Sequence, residues 1–268
     1  MTTKPSAAPW ADEPFPLIET PSVKIKSDHF YLKAASEMTH AHNVILRSLN
    51  AILQQGPHVR DSTDPHYRAR DVADFLHYVR CWVEMVGHHH DVEEKHMFPQ
   101  MREFSGRPDL MEEPQHQHES FHAGLETLGS YSKDTRPDRY RWAGSGGMKQ
   151  IIDSFSKDLT DHLYAEIGFF LKTDDLDSDE YEKAWSRFTE VAAKSGGLTM
   201  ILNVVPIVLG SADKTYEGGH EDFPPFPWVM PYLANYVLAT LNGAWRFNPC
   251  DLWGKPRPLA FVGGRTED

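Results

Sequence analysis

The sequence predicts an all-α protein built on an antiparallel up-down four-helix bundle, with a helical and irregular C-terminal extension. Three observations carry this. Apolar residues recur at spacings of three and four over four long segments. Breakers or short polar stretches separate those segments. No segment in that region shows the alternation of a half-buried strand.

Taken in order, residues 1 to about 25 hold five prolines and little periodicity, and read as an extended arm, assigned to residues 1–27. The first helix begins near Asp28. Its stripe is Leu32, Ala35, Met38, His42, Ile45, Leu49 and Ile52, and it ends at Gln54-Gln55-Gly56-Pro57. The second carries Val72, Phe75, Leu76, Val79, Trp82, Val83 and Val86, then runs through a group of histidines to Phe98-Pro99. The third is expected from about Leu110 to Tyr131, after Gly106-Arg107-Pro108. The fourth starts near Tyr140 or after Gly146-Gly147 and reaches Leu171 through Ile151, Ile152, Phe155, Leu159 and Leu163. The bundle therefore occupies residues 28–173. Residues 174–268 form an extension with a further short helix at Tyr181 to Ala193 and an apolar, Pro-rich stretch rich in aromatic rings, expected to wrap the bundle.

Composition narrows the function. Net charge is −12, and an acidic surface disfavours nucleic acid and anionic lipid as partners. No apolar run reaches the roughly 18 residues that cross a bilayer, and the N-terminus lacks a signal-type apolar core. A cytoplasmic protein is expected. Cys81 and Cys250 form neither a disulfide framework nor a zinc motif. The informative residue is histidine. There are fifteen, mostly grouped with acids.

Four segments offer metal-ligand residues. His42 falls within the apolar stripe of the first helix. His89 and Glu93 in the second, His118 and His122 in the third, and His162 and Glu166 in the fourth are i,i+4 pairs, one helical turn apart on one face. His90 with Glu94 is an alternative register in the second helix. One such pair alone is weak evidence. Four successive helices each placing ligands on an apolar face is stronger, because a carboxylate on a core face is costly unless it is paired or binds a cation. His40, His88, His96 and His116 read as non-ligands, and Glu94, Glu119 and Asp161 as solvated or supporting groups. Bundles hold dimetal centres through such inward-facing side chains.

These motifs resemble the hemerythrin-like, or HHE cation-binding, family. HNVILRSLNAIL is similar to the family's first helix, and HHHDVEEKHMFP to its second. The resemblance covers about residues 28 to 173. It implies a non-heme diiron centre held by His42, His89, Glu93, His118, His122, His162 and Glu166, with both carboxylates and an oxo or hydroxo group as bridges. Zinc and manganese are the less favoured occupants. The respiratory oxygen carriers of the family place an aspartate five residues after the fourth-helix histidine. Here Ile167 stands there, and Glu166 supplies HxxxE instead. That places the chain in the broader HHE group rather than among simple oxygen stores. The GAWRFNPCD stretch from Gly243 to Asp251 resembles extensions of fungal members.

Three functions are compatible with such a site. A nitrogen-rich ligand set with only two carboxylates favours the lower oxidation state of iron and the binding of dioxygen. The first reading is an oxidoreductase that activates dioxygen for a small organic substrate held between bundle and extension. The second is a non-enzymatic protein that binds, stores or senses dioxygen, nitric oxide or iron. The third is a structural bundle whose histidines pick up zinc. The aromatic extension, which an oxygen carrier would not need, favours the first.

Overall fold

The computed structural model describes residues 11–195, 197–219 and 223–262, and among them the protein is helical with no strand. Helix α1 spans Phe30–Gln55 and α2 spans Ala69–Val92. After a wide turn at Glu93–Met97 the chain continues as α3, Phe98–Ser105. Helix α4 spans Glu112–Asp134 and α5 spans Ser156–Phe170. Helices α1, α2, α4 and α5 form the bundle. Around it, α1 neighbours α5 and α2, and α4 neighbours α2 and α5.

Three boundaries differ from the sequence reading. The second helix does not stop at Phe98-Pro99. Pro99 has no N–H to donate, but it sits in the first turn of α3, where that donor is dispensable. The wide turn just before it already reaches one residue further back, with the Phe98 N–H bonding Glu93 O. The fourth helix is split. A short helix at Met148–Asp153 breaks at Phe155, whose φ of −138° is not helical, and α5 restarts at Ser156. Gly124 of α4 lies where an added Cβ would strike the Phe155 ring, so the break is packed against a residue with no side chain. The third helix begins two residues later and ends three later than expected.

Helix α1 is buried on nearly every side, which its stripe alone would not require. Residues 11–25 explain it by covering the outer face. Asn43 and Asn50 stand seven residues, or two turns, apart on that face. Asn43 accepts from Ile18 N–H (2.8 Å) and donates to Ile18 O (2.8 Å). Asn50 accepts from Phe15 N–H (3.0 Å) and donates to Phe15 O (2.8 Å) and Ala11 O (3.1 Å). The two amides satisfy the backbone of an extended strip that has no strand to pair with. Within this arm a single helical turn forms at Pro21–Lys24. The first ten residues of the expected arm lie outside the described residues.

The extension packs on both ends of the bundle. Helix α6, Ser178–Ser195, is longer than the expected Tyr181 to Ala193. It buries Tyr181, Trp185 and Phe188 against Phe30, Phe170 and neighbouring core residues. Helix α7, Val205–Ser211, lies on α1 and α2. The turn at Gly243–Phe247 places Phe247 on Phe75 and Tyr78, while Arg246 pairs with Asp71 (3.0 Å) and Asp74 (2.7 Å) of α2. Where α7 meets this turn, Gly210 leaves room for the Asn248 amide, which donates to Pro206 O (3.1 Å).

The core falls into two main apolar clusters. One holds Ile45, Leu49, Phe75, Trp82, Val86, Phe121, Phe155 and Leu159. The other holds Phe30, Met38, Met97, Phe98, Ile167, Phe170 and Trp185. Between them lies a layer of buried imidazoles and carboxylates.

Candidate metal centre

Five histidines and two glutamates make up that layer. His42 comes from α1, His89 and His90 from the end of α2, Glu93 from the wide turn, His118 from α4, and His162 and Glu166 from α5. All are buried except His89, whose side chain is 16% exposed.

Two ligand clusters share one carboxylate. Donor atoms of His90, Glu93, His118 and His162 lie within 4.8 Å of one another, and so do those of His42, His89 and Glu93. Glu93 reaches both sides, with Oε1 3.0 Å from His89 Nε2 and Oε2 3.7 Å from His118 Nε2. Glu166 does the same from the opposite wall. Its Oε2 lies 3.1 Å from His42 Nε2 and 3.9 Å from His162 Nε2. Each carboxylate thus stands between a histidine of one cluster and a histidine of the other.

Three imidazoles are aimed by hydrogen bonds from behind. His42 Nδ1 lies 2.9 Å from Leu163 O, which can only accept, so Nδ1 carries the proton and Nε2 turns its lone pair to the cluster. His118 Nδ1 lies 2.7 Å from Glu94 Oε1, and His162 Nδ1 lies 3.1 Å from Gln117 Oε1. The consequence is that His118 Nε2 and His162 Nε2 face each other at 3.1 Å. Two lone pairs at that separation repel unless a proton or a cation lies between them.

The residues fit a metal pair by a second test. Both oxygens of Glu93 and of Glu166, Nε2 of His42 and of His89, and both ring nitrogens of His90 are buried without a hydrogen-bond partner among the described residues. Buried polar groups are rarely orphaned, because each costs about 1–3 kcal/mol. Eight such atoms converging on one layer are better matched by cations than by any protein partner. Burial pushes the histidines down, His89 to about 4 and His42, His90 and His162 well below their ordinary value. His118 is also lowered, by burial against the raising effect of Glu166 and Glu94. Burial raises Glu166 to about 7 and, with help from the charge of Glu166, raises Glu93 well above the carboxylate range. Neutral imidazoles are what a metal needs, and a nearby dication would reverse the carboxyl shifts.

The family model of the Hemerythrin HHE cation binding domain matches residues 33–168. The chain belongs to this family. Its HHE domain contains every residue of the layer just described. The chain is also 35% identical over 257 residues to the "Dimeric xanthone biosynthesis cluster protein R11" of Cryptosporiopsis sp. (strain 8999), a match that covers 94% of this chain and 93% of that protein. The likeness thus extends through the C-terminal extension and not only the HHE domain. No solved structure matches.

Six of the seven residues expected from the sequence are brought together: His42, His89, Glu93, His118, His162 and Glu166. The seventh, His122, is not. Its side chain is 67% exposed and faces Glu126 across 3.9 Å. Geometry explains this. The buried stripe of α4 is Pro114, His118, Phe121, Leu125 and Leu128, and His122 lies about 80° around the helix from the centre of that stripe. His90 occupies the layer instead, its ring 4.5 Å from that of His118, 5.3 Å from His162 and 4.9 Å from Phe121. The alternative pairing of His90 with Glu94 does not form either, since Glu94 supports His118 from outside. A glutamate four residues after His89 is three after His90, and on a helix it projects between the two. That angular placement was the available signal for using both histidines. Among the residues read as non-ligands, His116 is 83% exposed, and His40 stacks on Phe223.

Proposed function

We propose that this HHE protein is a non-heme diiron oxidoreductase that activates dioxygen for a small organic substrate. His90, His118 and His162 would hold one ion and His42 and His89 the other, with Glu93 and Glu166 spanning the pair. Bound iron would supply one-electron redox chemistry and a coordination position for dioxygen. The chain supplies the rest. Leu163, Glu94 and Gln117 fix three imidazoles in the ligating tautomer. Phe98 and Phe121 pack on His118, and Phe121 also on His90 and His162, which excludes water from one side of the layer.

The observation that favours an enzyme over a carrier is an opening on the other side. A cavity of about 550 Å³ lies between α1 and α6 and has His89 in its wall. A diatomic gas needs no such space, and small-molecule sites are of this size. The relative's name, which places it in a biosynthesis cluster, agrees with an enzyme acting on an organic intermediate. The division expected from the sequence suits this reading, with a metal-holding bundle over residues 28–173 and an extension over 174–268 that walls the site. No helix among the described residues is long and apolar enough to cross a membrane. Both cysteines are buried and free, which suits the reducing cytoplasm.

Metal analysis of purified protein, with optical spectra before and after reduction and exposure to air, tests the proposal. About two irons per chain and an optical change on oxygenation are expected. Stoichiometric zinc with no uptake of iron would overturn it.

A further inference from the structure

The cavity between α1 and α6 has a composition that selects its occupant. Its walls are aromatic: Phe30 from α1, Trp185 and Phe188 from α6, and Phe223 from the segment after α7. Among its lining residues Phe30, Met38, Trp185 and Phe188 are buried, and His89 belongs to the metal layer. Trp185, Phe188 and Phe223 lie outside the matched domain, so the extension builds most of this wall. Aromatic rings that line a cavity accept a flat aromatic molecule by stacking and edge contacts.

The charged groups that line the cavity discriminate further. They are Lys33, Glu37 and Glu182, two carboxylates against one ammonium. Lys33 already faces Glu37 at 3.9 Å, and the other oxygen of Glu37 accepts from Trp185 Nε1 at 2.6 Å. An anionic ligand would meet net negative charge. A hydroxyl group would find carboxylate acceptors and the polar side chains of Ser186 and Thr189.

We infer that this cavity is the substrate site and that it takes a neutral, hydroxyl-bearing aromatic molecule, with its reacting end against His89. The assignment rests on the diiron reading for its chemistry, but the binding itself does not require metal. The aromatic walls hold the ring system, Glu37 and Glu182 accept from its hydroxyls, and His89 marks the end nearest the metal layer.

Two probes of equal ring size separate the possibilities: 2-naphthol and 2-naphthoate, titrated against metal-free and iron-loaded full-length protein by fluorescence polarisation. Naphthol should bind both forms, and naphthoate about tenfold more weakly, as expected for one repelled charge. Ser186→Trp fills the cavity from an exposed position on α6 and should weaken naphthol at least about tenfold. Phe223→Ala, on a different segment, should weaken it as well. The pair Glu37→Gln and Glu182→Gln should bring naphthoate close to naphthol. In cobalt-loaded protein the proton resonances of bound naphthol should broaden relative to zinc-loaded protein. The inference is overturned if naphthol fails to bind, if naphthoate binds as tightly, if both cavity variants bind naphthol normally, or if the resonances are equally sharp with both metals. Naphthol binding to a protein that takes up no iron would sink the diiron reading alone.

Discussion

The two halves of the metal layer are built differently. The inner half has three imidazoles, His90, His118 and His162, packed on Phe121 and, at His118, on Phe98. The outer half has two, His42 and His89, and His89 borders the cavity. Both carboxylates serve both halves. In the proposed diiron site, one protein nitrogen fewer on the side that borders the cavity would make the outer half the place for exogenous ligands and the inner half the place for retention.

The largest disruption should come from the carboxylate common to both clusters. Glu93→Ala should lose most of the bound metal, since it removes a donor from each half and opens a buried void. Elemental analysis after gel filtration checks it, and full metal content in the variant would refute the shared role. Glu166→Ala should act in the same direction.

Histidine variants separate the halves. His89→Ala should weaken the outer ion and leave the inner one, giving about one tightly held ion per chain in a chelator competition. His90→Ala should weaken the inner ion instead. His122→Ala should change neither, because its side chain is in solvent. If His122→Ala lost metal and His90→Ala did not, the α4 pairing expected from sequence would be restored.

That contrast also shows what the sequence could convey. The four bundle helices were legible because their stripes, such as Val72 to Val86, face a core whose period is fixed by the helix itself. Six metal-layer residues were legible for the same reason. His122 was misleading because i,i+4 spacing only puts two residues near one face, and Phe121 and Leu125 pull the centre of that face away from it. The wide turn at Glu93–Met97 and the break at Phe155 depend on contacts between helices, which leave no local pattern. The arm over α1 was visible only as prolines. Its anchors, Asn43 and Asn50, look like ordinary polar helix residues until their partners are known.

Smaller effects should come from behind the ligands. Glu94→Gln keeps an acceptor near His118 Nδ1 but removes its charge, and Gln117→Leu deprives His162 Nδ1 of its acceptor. Supporting groups of this kind typically contribute about 10–100-fold in metal affinity. Both act on the inner half, so in a stepwise titration the inner binding step should weaken and the outer step should stay.

The mildest test uses pH on metal-free protein. The five histidines have lowered values in the fold, so their unfolded forms take up protons first as pH falls below about 6.5. Their stabilising contribution is present above that pH and is lost on the way down to about 4, the folded value of His89. Glu93 and Glu166 run the other way. Their folded forms are protonated more readily, Glu166 at about 7, so acid relieves the cost of burying their charge. Five groups oppose two, and the unfolded chain binds more protons near pH 5.5. Metal-free protein should therefore unfold at lower urea at pH 5.5 than at pH 7.5. An unchanged midpoint would mean that the carboxyls offset the histidines fully. In His90→Ala, which removes one of the five, the pH dependence should be shallower, whereas in His122→Ala it should match the parent.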